Sequence, residues 1–372
     1  TYTLNQGIKI FGQKGYEATY KEVSQLHKRN CFKPIDVNEI VGDKRKKALE
    51  SLIFLTQKND GEIKGRACAN GSKQRQWTDK KTTTSPTVSL ESIMLTCVID
   101  AKEKRDVITA DIPNAFVQTD NEGETVIMKV RGQLAEILIS TAPEIYKEYK
   151  TKENGQTVIY LEVLKALYGL LQSALLFYKK LRKDLEGIGF RVNPYDPCVA
   201  NMMVDGHQLT VTWHVDDLKS SHIDPDINES YINWLRMKYE DVNKVKATSG
   251  KIHNYLGMQI NFSVEGKVKI NMSRYVRDML NSFDYKMELR EKVKTPAAEH
   301  LFKINKNAKK LDKDKAEVFH TTVAKGLFLC KRSRPDIQTT IAFLCTRVKE
   351  PDVDDWKKLL RLLNYLKKTQ LN

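Results

Sequence analysis

The residues best suited to chemistry in this 372-residue sequence are three aspartates. Asp111 lies in Ala110-Asp111-Ile112-Pro113-Asn114-Ala115-Phe116, and Asp216 and Asp217 follow about a hundred residues later in His214-Val215-Asp216-Asp217-Leu218. Carboxylates grouped in this way hold divalent cations, and phosphoryl transfer is the reaction that needs them. Each group follows an apolar run rich in β-branched residues, Val107-Ile108-Thr109 before the first and Leu209-Thr210-Val211-Thr212-Trp213 before the second. Such runs predict strands entering one buried sheet. Because strand side chains alternate between faces, Asp216 and Asp217 can both face Asp111 only across a tight turn, which the spacing puts at Val215-Asp216. Three carboxylates so held would repel one another, and two Mg²⁺ ions roughly 3.5–4 Å apart relieve that repulsion. An Asp-Asp pair alone is usually a solvated turn, but apolar residues flank this one on both sides.

The elements that position these groups follow from periodicity. An amphipathic helix is predicted over 16–30, and two strands, Ser51–Gln57 and Glu62–Cys68, flank a turn at Lys58-Asn59-Asp60-Gly61. After a polar stretch from Gly71 to Pro86, a helix from Ser89 (a plausible N-cap) to Ala101 leads into the first Asp strand. A helix from Leu170 to Glu186 stops at Gly187-Ile188-Gly189. Asp205-Gly206 between Met202-Met203-Val204 and Leu209–Trp213 is a hairpin signal, so the strand carrying His214 is expected to be paired on both sides. Further on come a helix from Asp226 to Tyr239, strands Leu256–Phe262 and Lys267–Met272, helices Ser273–Ser282, Ala316–Lys331, Pro335–Lys349 and Asp354–Lys368, and a Lys-rich connector, 303–315.

Six blocks in a fixed order resemble the reverse transcriptases of copia-type retrotransposons. They are Lys64-Gly65-Arg66-Ala67-Cys68-Ala69-Asn70-Gly71, Ala110 to Phe116, Ala166-Leu167-Tyr168-Gly169-Leu170-Leu171-Gln172, His214 to Leu218, Tyr255-Leu256-Gly257-Met258 and Ser333-Arg334-Pro335-Asp336-Ile337, together covering roughly 50–370. The resemblance implies an α+β right-hand polymerase whose palm is an antiparallel sheet backed by helices. Its parts would be an N-terminal helical extension (1–39), fingers (40–85 and 120–165), palm (86–119 and 166–240), thumb (241–300) and a connection segment (301–372). It implies that Asp111 and Asp217 bridge two Mg²⁺ ions, with Mn²⁺ a substitute, and that Asp216 and the backbone carbonyl of Ile112 complete the set. Phe116 would pack under the incoming sugar and exclude a 2′-hydroxyl, and Tyr168-Gly169 would approach the nucleotide closely. Lys64 and Arg66, on one face of their strand, suit a clamp on triphosphate oxygens. Tyr255, Leu256, Gly257 and Met258 resemble the primer grip, although taken alone they are a strand with a glycine.

Two departures bear on template contacts. His214 stands where the family usually has an aromatic, and Leu171-Gln172-Ser173-Ala174 lacks the Lys and Pro that many relatives carry there. Neither removes a metal ligand.

Composition agrees with less specificity. With 62 basic and 47 acidic residues the chain carries a formal charge of +15, which fits a polyanion-binding surface. From Arg290 to Asn372 there are 20 Lys and Arg against 10 Asp and Glu, so most of the excess sits in the last part of the chain. Six scattered cysteines without C-x-x-C spacing argue against a zinc site or a disulfide framework. With 41% hydrophobic residues and no 18-residue apolar run, a soluble intracellular protein with no membrane partner is expected. Thr1 suggests a piece of a longer polyprotein, and the chain stops about where the resembling family's ribonuclease H domain would begin, so no cleavage of RNA in hybrids is expected. The implied partners are an RNA or DNA template, a nucleic-acid primer and dNTPs, together with a second copy or other retroelement polyprotein products. The implied location is cytoplasmic virus-like particles, with nuclear access.

The function expected is therefore RNA-directed DNA polymerization. The alternatives are a catalytically inactive nucleic-acid-binding remnant of the same origin and a two-metal nuclease of unrelated fold. Retention of the three Asp and Phe116 disfavours the remnant, and the lack of an activating His or Lys beside the Asp groups in sequence disfavours the nuclease.

Overall fold

The computed structural model describes residues 1–58, 60–79, 83–241, 243–285 and 293–370; Asn59 of the expected turn lies outside them. The chain is mixed α+β and forms two compact units. One comprises Thr1–Ser92 with Ala110–Ala247, and the other Ile93–Thr109 with the chain from Thr248 onward. No helix among the described residues is long and apolar enough to cross a membrane.

The first unit holds a seven-stranded sheet whose main path is Tyr2–Thr3, Leu49–Gln57, Val126–Arg131, Gln156–Val163, Phe32–Ile35; Ile63–Ala69 pairs with Leu49–Gln57, and Thr151–Glu153 with Gln156–Val163. All its pairings are antiparallel except the short parallel match Leu49↔Met128. The predicted hairpin around Gly61 is present, with Leu55 opposite Gly65 and Gln57 opposite Ile63. Helix Gln13–Lys28 lies on Ile63–Ala69, and the two backbones come close at Gly65, where a Cβ would stand 2.8 Å from the Ala18 carbonyl oxygen. The core beneath gathers Val23, Leu49, Ile53, Met128, Leu134, Leu138, Ile159 and Leu161. Periodicity assigns nothing to 120–165; the structure places three strands, Val126–Arg131, Thr151–Glu153 and Gln156–Val163, and helices Gln133–Thr141 and Pro143–Tyr146 there.

The six-stranded sheet runs Lys246–Thr248, Asp106–Asp111, Asp217–His222, His207–His214, Val199–Val204, Arg191–Val192. Val204 pairs with His207 around Asp205 and Gly206, both at positive φ, so the strand ending in His214 is hairpin-paired on both sides, as its sequence requires. Ser89 does cap its helix, accepting a 3.1 Å bond from the Ser92 N–H, with the helix running Leu90–Lys102.

Most boundaries shift by a few residues, and three of the differences have a clear structural cause. The helix expected from Leu170 begins at Ser173, because residues 170–172 turn so that the Leu171 N–H reaches Gln74 Oε1 at 3.1 Å. In the second unit, Tyr255-Leu256-Gly257-Met258 is not a strand but a hairpin turn: Tyr255 pairs with Met258, and Leu256 and Gly257 take φ of 48° and 81°. The helix expected to Lys349 ends at Cys345, beyond which the chain turns and Arg347 is drawn to Asp352 and Asp355 at 3.3 and 3.0 Å.

Candidate nucleotide site

The strands His207–His214 and Asp217–His222 meet in register His214↔Asp217, which leaves Val215-Asp216 as a two-residue turn. The positive φ of that turn, 60°, falls on Val215. A β-branched residue there holds strain of about 1–3 kcal/mol, which the paired strands sustain. The Asp216 carbonyl accepts the Ile112 N–H at 3.0 Å, so the end of the Asp111 strand is tied directly to the turn. Asp111, Asp216 and Asp217 are all half-buried.

Their electrostatics follow from that placement. Burial first, then the charges of Asp216 and Asp111, push the Asp217 carboxyl up to about 6. Asp216 is raised as well, by burial and by Asp111, although Arg66 and His214 pull the other way. Among the described residues no three His, Cys, Asp or Glu side chains stand at metal-ligand spacing. The three aspartates are thus close enough for their charges to raise Asp216 and Asp217 but are not gathered at coordination spacing. An all-carboxylate cluster is a donor set suited to Mg²⁺.

A cavity of about 300 Å³ opens beside the turn and is lined by Asp111, Ile112 and Asp216 on one side and by Lys64, Arg66, Tyr168, Lys21, Glu22 and Lys246 on others. Six of the sequence-predicted residues therefore meet here. The expected lack of a neighbouring His or Lys does not hold, since His214 lies opposite Asp217 and Lys64 and Lys246 line the same cavity, so it no longer weighs against a nuclease. Phe116 does not line the cavity but reaches it through Tyr168: the Arg66 guanidinium lies 4.7 Å from the Tyr168 ring centre, and the Phe116 ring, tilted by 60°, lies 4.7 Å from that of Tyr168. Phe116 is half-buried on a single 3₁₀ turn, Ala115–Gln118, that follows the left-handed Asn114. Burial, with Asp216 adding to it, raises the Tyr168 phenol to about 12, so it stays protonated.

Gly169 has a structural reason of its own. Its φ is +91°, and a Cβ would stand 1.9 Å from the Ala69 carbonyl oxygen, while the Ala69 N–H donates to the Tyr168 carbonyl at 2.8 Å. This backbone contact fastens the Tyr168 turn to the strand that carries Lys64 and Arg66. Gly169→Ala is expected to destabilise the first unit by on the order of 3 kcal/mol, from left-handed strain plus overpacking; an unchanged melting profile would count against the contact.

Tyr255 and Met258 are buried in the second unit, which leaves Leu256 and Gly257 at the tip of their turn. Sequence reasoning missed Lys21, Glu22, Gln25 and Lys246 as cavity residues. Their only local signal is the polar face of helix Gln13–Lys28 and a short strand after Val245.

Residues 39–298 match the family model described as reverse transcriptase (RNA-dependent DNA polymerase), and the chain belongs to that family. Its relatives place it among the copia-type transposons. It is 21% identical over 95% of its length to a retrovirus-related Pol polyprotein from transposon TNT 1-94 of Nicotiana tabacum. It is 24% identical over 84% of its length to a truncated transposon Ty1-A Gag-Pol polyprotein, and 25% identical over 75% to a transposon Ty1-DR1 Gag-Pol polyprotein, both of Saccharomyces cerevisiae. The chain spans between 14% and 25% of the length of these relatives. Among solved structures, a foamy viral protease-reverse transcriptase in complex with double-stranded DNA aligns with 96% of this chain and 49% of its own, at a TM-score of 0.46 and 11% identity.

Proposed function

We propose that this chain is an RNA-directed DNA polymerase that extends a primer 3′-hydroxyl with dNTPs on an RNA or DNA template. The observation that carries the proposal is the cavity in which Asp111 and Asp216 face Lys64 and Arg66, since a metal-bound triphosphate needs carboxylates for its cations and fixed cations for its phosphate oxygens. Asp111, Asp216 and Asp217, with the Ile112 carbonyl, would hold two Mg²⁺, or Mn²⁺ in substitution. When bound, these ions lower the pKa of the attacking hydroxyl and neutralise the departing pyrophosphate.

The protein's own groups do the rest. Lys64 and Arg66 take the phosphate oxygens, and the Tyr168 face holds the Arg66 guanidinium in one plane, restricting the rotamers it must give up on binding. The tie between Ile112 and Asp216 fixes the spacing of the two acidic strands before substrate arrives. His214 at the hairpin end and Leu256-Gly257 at their turn are assigned to primer and template, and the charge of +15 supports a nucleic-acid partner.

Incorporation of labelled dNTP on a primed RNA with Mg²⁺ tests this. Template-dependent extension is expected. Binding of the primed RNA without extension would favour the inactive remnant, and strand cleavage without extension would favour a nuclease.

A further inference from the structure

Helix Gln13–Lys28 belongs to no block of the family resemblance, yet it forms one wall of the cavity through Lys21, Glu22 and Gln25. Glu22 does more than line it. Its Oε1 accepts the Ala67 N–H at 3.0 Å, and Ala67 lies on the strand that carries Lys64 and Arg66, one residue beyond Arg66. This bond joins residues 45 apart in sequence and is not part of the strand's pairing with Leu49–Gln57. Gly65 lets the same helix come within contact of the strand between the two cations. Burial holds the Glu22 carboxyl above the ordinary carboxylate range, against the pull of the Ala67 N–H, Lys64, Arg66 and Arg29. A half-buried acid kept among cations and spending an oxygen on a strand amide is placed to fix geometry.

We infer that Glu22 is a positioning residue for nucleotide binding: it pins the strand Ile63–Ala69 at Ala67, so that Lys64 and Arg66 face the cavity at a fixed depth and the triphosphate meets a preformed clamp. The inference rests on the cavity being the nucleotide site. Besides its pairing with Leu49–Gln57, the strand is fixed beyond the clamp at the Ala69 N–H and at the clamp itself where Arg66 meets the Tyr168 ring, and Glu22 supplies the fixing on the helix side.

The substitutions separate geometry from charge. Glu22→Ala removes the acceptor, Glu22→Gln keeps an Oε1 for the Ala67 N–H while losing the charge, and Glu22→Asp keeps the charge while drawing the oxygens back by one methylene. Single-nucleotide kinetics on a primed RNA are expected to show KM for dNTP raised about tenfold in the Ala and Asp variants, with kcat and primer-template Kd within about twofold of the unsubstituted protein, and KM near normal in the Gln variant. Combined with Arg66→Met, Glu22→Ala should add little further, because its effect passes through the clamp. If Glu22→Ala does not fold, the Asp variant gives the same reading. Unchanged KM in the folded Ala or Asp variant would overturn the inference, as would equal losses in the Gln and Ala variants. Failure of the unsubstituted protein to incorporate dNTP would instead overturn the function on which the inference rests.

Discussion

Asp217→Asn is expected to reduce single-turnover extension by at least about a thousandfold, roughly 4 kcal/mol of transition-state stabilisation, while primer-template affinity stays within a few-fold. The reason is the company Asp217 keeps. It sits opposite His214 at the base of the turn, and the two charges that raise its carboxyl most, after burial, are Asp216 and Asp111. A group that two like charges disfavour is retained at a cost unless cations are to be bound there. Asparagine keeps the shape and removes the charge, so an extension rate above about a tenth of normal would remove Asp217 from the metal set.

The same substitution has a second signature, in stability. The folded carboxyl of Asp217 lies at about 6, above the value of about 3.9 usual for an unfolded chain. A group raised on folding favours the fold at low pH, and that contribution is lost as pH rises through the folded value. Without divalent ions the first unit should therefore lose stability between about pH 4 and 6, from the unfolded value to the folded one, on the order of 1–2 kcal/mol after screening. Added Mg²⁺ should restore it, and Asp217→Asn should flatten the dependence. Thermal melts across that range with and without Mg²⁺ check both, and a flat profile for the unsubstituted protein would contradict the placement of the three charges.

What the sequence could reveal depended on whether local pattern or distant contact decided each feature. Asp205-Gly206 and the Val215-Asp216 turn are set by adjacent residues and by strand alternation, and both lie where the pattern puts them. Lys64 and Arg66 share a face because a strand repeats every two residues, so their meeting in one cavity follows from the period. The start of the helix after Gly169 could not be read, since Leu170 and Leu171 fit helical spacing and only Gln74, nearly a hundred residues earlier, draws Leu171 out of the helix. Tyr255 to Met258 read as a strand because three of its four residues are apolar, whereas Leu256 in the left-handed region betrays itself only in coordinates. Glu22 was hidden for a related reason. On an amphipathic helix its face is the one that normally meets solvent, and nothing nearby in sequence announces the Ala67 amide.

Phe116→Val is expected to raise rNTP use relative to dNTP by about two orders of magnitude or more in kcat/KM, with dNTP use changed much less. The five residues from Asp111 to Phe116 do what this requires: the strand ends at Asp111, Asn114 turns at φ 51°, and the 3₁₀ turn presents a half-buried ring and not a fully enclosed one. That ring rests on Tyr168, whose face in turn carries Arg66. In the proposed reading, a flat ring held against Tyr168 would have little room to swing away from a 2′-hydroxyl, so it would discriminate by exclusion and need no hydrogen bond. Valine would keep an apolar surface but withdraw the outer carbons of the ring, opening room for one oxygen. Removing the brace should act in the same direction but more weakly, so Tyr168→Leu is expected to relax sugar selectivity partially and also to raise KM for dNTP, because it frees Arg66 at the same time. If single-nucleotide kinetics give the same rNTP-to-dNTP ratio for Phe116→Val and the unsubstituted protein, the ring is packing alone and the selectivity must be set by other residues.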